Sequence, residues 1–131
     1  MTVQLDHTIV WVRKRRESAD FLTSILGLPD ATTFGPFLVV QLENGVSLDY
    51  CELGDGEISP QHYAFLITED EFDAILARIE TRGLAFWADP GRTRPGEISR
   101  DDGGRGLYFL EPGGHLLEII TRPYGSGDTR G

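Results

Sequence analysis

Three side chains suited to binding a divalent metal ion stand at separate points of the sequence: His7, His62 and Glu118. Each lies in a short apolar segment typical of a β-strand, where side chains two residues apart share one face of the sheet. A single polar group among apolar neighbours on such a face is costly to bury without a partner. Two histidines and one carboxylate suit Fe(II), Mn(II), Zn(II), Ni(II) or Co(II), and they leave coordination positions for a substrate or water. The residue types therefore predict a shared metal ion.

Two further side chains, Asp49 and Tyr108, could take part in the chemistry of this site. Asp49 matches Glu118 when the two halves of the sequence are aligned, so it could be a fourth ligand or a general base. Aspartate is one methylene shorter than glutamate, which limits its reach to the metal. The alternative is that Asp49 contacts the ligands rather than the metal, or lies at the surface. Tyr108 could hydrogen-bond a substrate, or fill the core with its hydroxyl satisfied. His115 is an odd number of residues from Glu118, which predicts that it points to the opposite face of the sheet.

The elements that must position these residues recur in the same order in both halves of the chain. Apolar residues at helical spacing predict a helix over residues 17–26, ended by Gly27, and a second helix after a capping box at Thr68, ended by Gly83. Strand-like segments cover residues 5–12, 37–42, 46–53, 63–67, 86–88, 106–110 and 116–121.

Short segments of the two halves also match each other in the same order, as a repeat of about 55 residues, which predicts two copies of one β-α-β-β-β unit. These modules cover residues 4–53 and 60–122. We therefore predict an α+β fold, organised as a single domain of residues 1–124 with a flexible tail over residues 125–131. Residues 89–104 fit no element and form a long loop rich in proline and glycine, and such loops are often functional.

Composition excludes several classes of function. The net charge of -9 argues against nucleic-acid binding, which needs clustered lysine and arginine. No apolar run approaches the roughly 20 residues that span a bilayer, and the first residues lack the basic and apolar segments of a signal peptide. We therefore expect a cytoplasmic protein with no membrane partner. Cys51 is the only cysteine, which excludes an internal disulfide and a cysteine-rich zinc site.

Three segments of the chain resemble the vicinal oxygen chelate superfamily, which includes glyoxalases, fosfomycin-resistance transferases, bleomycin-resistance proteins and extradiol dioxygenases. They are Leu5-Asp6-His7-Thr8, Gln61-His62-Tyr63-Ala64-Phe65, and residues 108–119, which run Tyr-Phe-Leu-Glu-Pro-Gly-Gly-His-Leu-Leu-Glu-Ile. The resemblance spans residues 4 to about 122. It implies that the two modules form a curled mixed sheet around a cleft for a metal and a ligand. It also implies a homodimer and a small-molecule substrate or ligand.

The resemblance also implies roles for particular residues. His7, His62 and Glu118 match the metal ligands of the family, and Tyr108 matches a pocket tyrosine of its fosfomycin-type members. Asp49 stands where glyoxalase-type lyases carry a glutamate ligand, so the chain departs from that pattern. The implied mechanism is bidentate binding of two neighbouring substrate oxygens to the metal, which acts as a Lewis acid or, as Fe(II), brings substrate and dioxygen together.

Two classes of function stay open at this point. The first is a metal-dependent enzyme, either a glyoxalase-like lyase or isomerase or a small extradiol-type dioxygenase. The second is a metal-independent, ligand-sequestering resistance protein of the bleomycin-resistance type. Because members of that second group generally lack the full set of metal ligands, the presence of all three favours the enzyme.

Overall fold

Each half of the chain forms one α-helix and one four-stranded sheet within residues 2–127, which the computed structural model describes. The two halves are separate units that meet in sequence at Ser59 and Pro60. The predicted α+β class and the two β-α-β-β-β-like modules are therefore confirmed, with both sheets mixed. The curling of these sheets around a cleft and the single-domain organisation remain predictions.

The first unit has its helix between its first two strands. Its elements are β1 (His7–Val12), α1 (Arg15–Leu26), β2 (Thr32–Phe34), β3 (Phe37–Gln41) and β4 (Ser47–Glu52). The sheet order is β1-β4-β3-β2, with β1 parallel to β4 and the other pairs antiparallel. Ala19, Leu22 and Ile25 form the buried side of α1, which contacts β3 and β4. Burial of one such large aliphatic side chain stabilises the fold by about 1.5–3 kcal/mol.

The second unit repeats this order. Its elements are β5 (His62–Leu66), α2 (Glu69–Thr81), β6 (Phe86–Trp87), β7 (Gly106–Leu110) and β8 (Leu116–Ile120), with a short 3-10 turn at Asp101–Gly103. The sheet order is β5-β8-β7-β6, and β5 is parallel to β8. The predicted capping box is confirmed: the Thr68 side chain accepts the Glu71 N–H, and the Glu71 side chain accepts the Thr68 N–H. Phe72, Ile75 and Ile79 are the buried residues of α2.

The strand register makes the two units equivalent at the predicted site residues. In the first unit, Asp49 pairs with the residue two positions after His7. In the second unit, Glu118 pairs with the residue two positions after His62. The alignment of Asp49 with Glu118, inferred from sequence, is therefore confirmed by the hydrogen-bonded ladders.

Two boundaries differ from the predictions for local physical reasons. Helix α1 begins at Arg15 rather than Glu17, because arginine is a good helix former and continues the helix backwards into the basic run. The sequence patterns missed β2, whose three residues are all exposed and so show no alternation of apolar and polar side chains. Of the tail predicted to be flexible, residues 128–131 lie outside the described residues. Neither helix within residues 2–127 is long and apolar enough to cross a bilayer.

Candidate metal centre

His62 and Glu118 come together on neighbouring strands of the second unit. The parallel register of β5 and β8 sets Ala64 opposite Glu118, so His62, two residues earlier on β5, projects on the same face as that carboxylate. Nε2 of His62 lies 2.9 Å from Oε1 of Glu118. Glu118 is only 7% exposed, so its carboxylate is a buried acid whose charge needs a partner.

Tyr108 completes this group from the third strand. It lies directly opposite Glu118 in the antiparallel pair of β7 and β8, and its ring stacks on His62 with centroids 5.7 Å apart and planes inclined by 28°. Burial, followed by the charge of Glu118 and a hydrogen bond with that carboxylate, raises the pKa of Tyr108 far above its usual range. The phenol therefore stays protonated and acts as a hydrogen-bond donor beside Glu118.

The chemistry of this group fits a divalent metal ion. An imidazole nitrogen and a carboxylate oxygen converge, and these are the donor types that iron, manganese, zinc, nickel and cobalt accept. The buried carboxylate supplies the negative charge that offsets that of a cation. Within the described residues of this unit, no third His, Cys, Asp or Glu joins His62 and Glu118.

A cavity of about 230 Å³ lies beside Glu118 and Tyr108. Its wall includes Ser99, Asp101 and Asp102, which belong to the long loop that the sequence marked as functional by its length. The structure therefore brings part of that loop to the same cavity as two of the predicted site residues.

The first unit holds His7 and Asp49 at the matching positions. Both line a second cavity, of about 480 Å³, together with the aromatic rings of Phe34 and Phe37. Asp49 is buried, and its Oδ1 accepts a hydrogen bond of 2.8 Å from the Ser47 hydroxyl. The predicted role of Asp49 as a fourth ligand or base stays a prediction.

His7 has an acidic neighbour in its own strand segment. Its Nδ1 lies 2.8 Å from Oδ2 of Asp6. This hydrogen bond, opposed by partial desolvation and aided by the charge of Asp49, raises the pKa of His7 above its ordinary value.

The premise that both histidines are buried is wrong. The side chains of His7 and His62 are 53% and 45% exposed, and Ile9 and Trp11 on the same face of β1 are exposed as well. The cause is that the other face of β1, with Val10 and Val12, packs in the core. The alternation of side chains along a strand correctly groups the residues that share a face. It does not predict which of the two faces packs against the core.

His115 contacts Tyr63, the neighbour of His62 on β5, rather than His62 itself, in line with the opposite face predicted from its odd spacing to Glu118. It is only 1% exposed, it packs edge-on against Tyr63, and its Nδ1 accepts the Gln61 backbone N–H at 2.9 Å. This contact fixes the residue before His62, so His115 positions the start of β5 rather than facing the candidate metal centre.

Sequence analysis missed Arg122, which lines the cavity beside Glu118. Arg122 is an even number of residues after Glu118, but β8 ends at Ile120. The spacing that groups residues on one face of a strand therefore does not extend to Arg122.

Comparisons with known proteins agree with this architecture. The model of the glyoxalase/bleomycin resistance protein/dioxygenase superfamily matches residues 4–119. The solved structures of oxidases ChaP-H1 and ChaP-H2 are 58% and 59% identical, cover 95% and 97% of this chain and 99% of their own chains, and have TM-scores of 0.92 and 0.93. Glutathione transferase FosA from Serratia marcescens is 29% identical in an alignment 126 residues long, which covers 91% of this chain and 81% of the transferase. The chain belongs to the glyoxalase/bleomycin resistance protein/dioxygenase superfamily.

Proposed function

We propose that the chain is a metal-dependent oxidase that binds a small substrate through two neighbouring oxygen atoms. The observation that carries this proposal is the buried Glu118 carboxylate, 2.9 Å from the Nε2 atom of His62. The choice of oxidase over lyase or isomerase is supported by the likeness to the two ChaP oxidases, which extends over nearly their whole length. It is also supported by Asp49, because an aspartate replaces the glutamate ligand typical of glyoxalase-type lyases.

We assign His62 and Glu118 as two metal ligands and His7, the counterpart of His62 in the repeat, as the third. His7 would come from the same chain or from a second copy in a homodimer. When bound, a divalent metal supplies Lewis acidity toward substrate oxygens and, as iron, electrons for dioxygen. The cytoplasmic location and the homodimer remain expectations from the sequence and its resemblance.

The other residues of the site bind and orient the substrate. The Tyr108 hydroxyl keeps its proton because of burial and the neighbouring carboxylate. When Glu118 binds a metal, this hydroxyl can donate its one hydrogen bond to a substrate oxygen instead of to Glu118. The Oδ1 atom of Asp49 already accepts the Ser47 hydroxyl, and its Oδ2 atom can accept a proton or a hydrogen bond in the cavity that it shares with His7.

A second candidate function is ligand binding without a metal, as in the bleomycin-resistance type. The observation in its favour is the larger cavity of the first unit, where Phe34 and Phe37 offer aromatic surface to a ligand. Tight binding of an aromatic cation that a chelator leaves unchanged, without turnover, would support this function.

Metal analysis of the protein, purified without added metal, tests the proposed oxidase. We expect the wild type to retain a divalent metal and Glu118→Gln to lower the affinity for that metal by on the order of 100-fold, since loss of a ligand costs at least as much as loss of its supporting hydrogen bonds. Glu57→Gln is the matched control, because Glu57 is an exposed acid outside both cavities. A wild type that holds no metal and binds none of the five candidate metals when they are added would contradict the proposal.

A further inference from the structure

The cavity beside Glu118 carries a cation that has no partner in the part of the chain that the structure describes. Arg105 and Arg122 both line this cavity. Arg105 is occupied, because its guanidinium forms ion pairs with Glu69 at 2.7 Å and Asp73 at 2.9 Å. Arg122 forms no ion pair or hydrogen bond with any side chain or backbone group within residues 2–127. Its guanidinium is therefore available to a ligand.

Gly104 leaves room for the stem of the Arg122 side chain beside the loop. A Cβ atom at Gly104 would lie 2.5 Å from Cγ of Arg122 and 2.6 Å from Oγ1 of Thr121, and one at Gly103 would lie 3.9 Å from Nη1 of Arg122. Only a residue without a side chain allows the stem of Arg122 to cross the loop so closely. The guanidinium therefore rests against this loop, at the wall of the cavity.

The segment that carries Arg122 is also held by Asp102. The Asp102 carboxylate accepts the backbone N–H groups of Gly125 at 3.1 Å and Gly127 at 2.9 Å. Gly127 approaches so closely that a Cβ atom on it would lie 2.5 Å from the Asp102 Cα. Residues 122–127 are thus bound to the loop of residues 99–104, which orders Arg122 before any ligand arrives and reduces the entropy cost of binding.

We propose that Arg122 anchors an anionic oxygen group of the substrate, so that the substrate is a small organic acid carrying a carboxylate or an equally acidic oxygen. This proposal rests on the proposed function, since it assumes that the two neighbouring oxygens of the same substrate bind the metal held by His62 and Glu118. Guanidinium suits this task because its planar fork binds carboxylates with two parallel, charge-assisted hydrogen bonds. In a chain with a net charge of -9, an anion needs such a local cation to enter the cavity.

Two probes that differ by one carboxylate test this assignment: catechol and protocatechuate, which is catechol bearing a carboxylate. Their dissociation constants are measured by calorimetry on the metal-loaded protein at constant ionic strength. The wild type should bind protocatechuate roughly tenfold to a hundredfold more tightly than catechol, as expected for a hydrogen-bonded charge pair. Arg122→Gln should remove this preference, and Arg122→Lys should keep part of it, because lysine retains the charge without the fork. Arg82→Gln, an exposed arginine that does not line the cavity, should leave the preference unchanged.

Glu118→Gln separates the failure of this inference from that of the proposed function. Weaker binding of both probes by this variant, with the preference for protocatechuate retained, supports both. If Glu118→Gln binds catechol as tightly as the wild type, while the preference for protocatechuate still depends on Arg122, the metal-based function is contradicted and the anchoring role of Arg122 is supported. Equal affinity of the wild type for the two probes, no binding of either, or a full preference in Arg122→Gln overturns the anchoring role of Arg122.

Discussion

Asp102 offers a quantitative test of how the cavity wall is held together. Its carboxylate accepts two backbone N–H groups, from Gly125 and Gly127. A hydrogen bond to a charged group contributes about 1.5–3 kcal/mol, so two of them set an upper limit of about 6 kcal/mol. Gly125 is exposed and Gly127 is half-buried, so water can replace much of the hydrogen bonding that their N–H groups lose in the variant. We expect Asp102→Ala to weaken the attachment of residues 122–127 by about 2 kcal/mol.

Backbone strain at residue 102 also lowers the free energy of unfolding of Asp102→Ala, and a second variant separates this effect from the loss of hydrogen bonds. Asp102 has a φ of 60°, in the left-handed region that costs an alanine about 1–2 kcal/mol. Asp102→Gly removes the same two hydrogen bonds but carries no such strain. The difference in the free energy of unfolding between the alanine and glycine variants should therefore be about 1 kcal/mol, with glycine the more stable.

Hydrogen exchange at the amides of Gly125 and Gly127 is the direct assay, combined with urea denaturation for overall stability. A weakening of about 2 kcal/mol corresponds to roughly 30-fold faster exchange, provided that opening precedes exchange in equilibrium. Asp55→Ala, which removes an exposed carboxylate elsewhere, should leave exchange at these two amides unchanged. If Asp102→Ala exchanges at the wild-type rate at both amides, the reasoning about this segment is refuted.

Two further predictions concern stability in the second unit. Thr68→Ala should lower the free energy of unfolding in urea by about 1 kcal/mol, because it removes the capping box with Glu71; an unchanged midpoint would contradict it. The hydrogen bond with Thr121, then that with Arg105, lowers the pKa of Glu69 below its ordinary value. The contribution of Glu69 to stability is therefore present above the unfolded-state pKa and is lost as the pH falls through the folded-state value. Glu69→Gln should therefore flatten the acid side of the stability profile measured by denaturation at a series of pH values, and an equally steep loss in this variant would refute that role.

The helices and the second hairpin were predictable because their signals are local. The capping box at Thr68 marks the start of α2, and Gly27 ends α1 in the left-handed conformation, with φ of 72°. The predicted strand of residues 106–110 coincides with β7. The proximity of His62 to Glu118 was also predictable from the sequence, because it requires only that β5 and β8 lie side by side in the register that the repeat suggests.

The remaining features depend on contacts between distant segments, which spacing does not report. Exposure of His7 could not be predicted, since it depends on which face of β1 the helix and sheet cover. Arg122 lies beyond the end of β8, and its place at the cavity depends on the bare backbone of Gly104 and on the hydrogen bonds of Asp102. The close approach at Gly104 and the hydrogen bonds of Asp102 both join segments that are far apart in sequence. A single glycine or aspartate gives no sequence pattern that predicts such contacts.

The position of β1 and β5 in their sheets has a consequence for the handling of the protein. Among the described residues of its own unit, each of these strands hydrogen-bonds to one neighbouring strand only, so each is a sheet edge. Exposed Trp11 on β1 and Leu66 on β5 add apolar surface to these edges, and such edges favour aggregation. A ligand that binds His62 in the folded state stabilises β5 against fraying. Loss of such a ligand would therefore favour aggregation through the edge formed by β5.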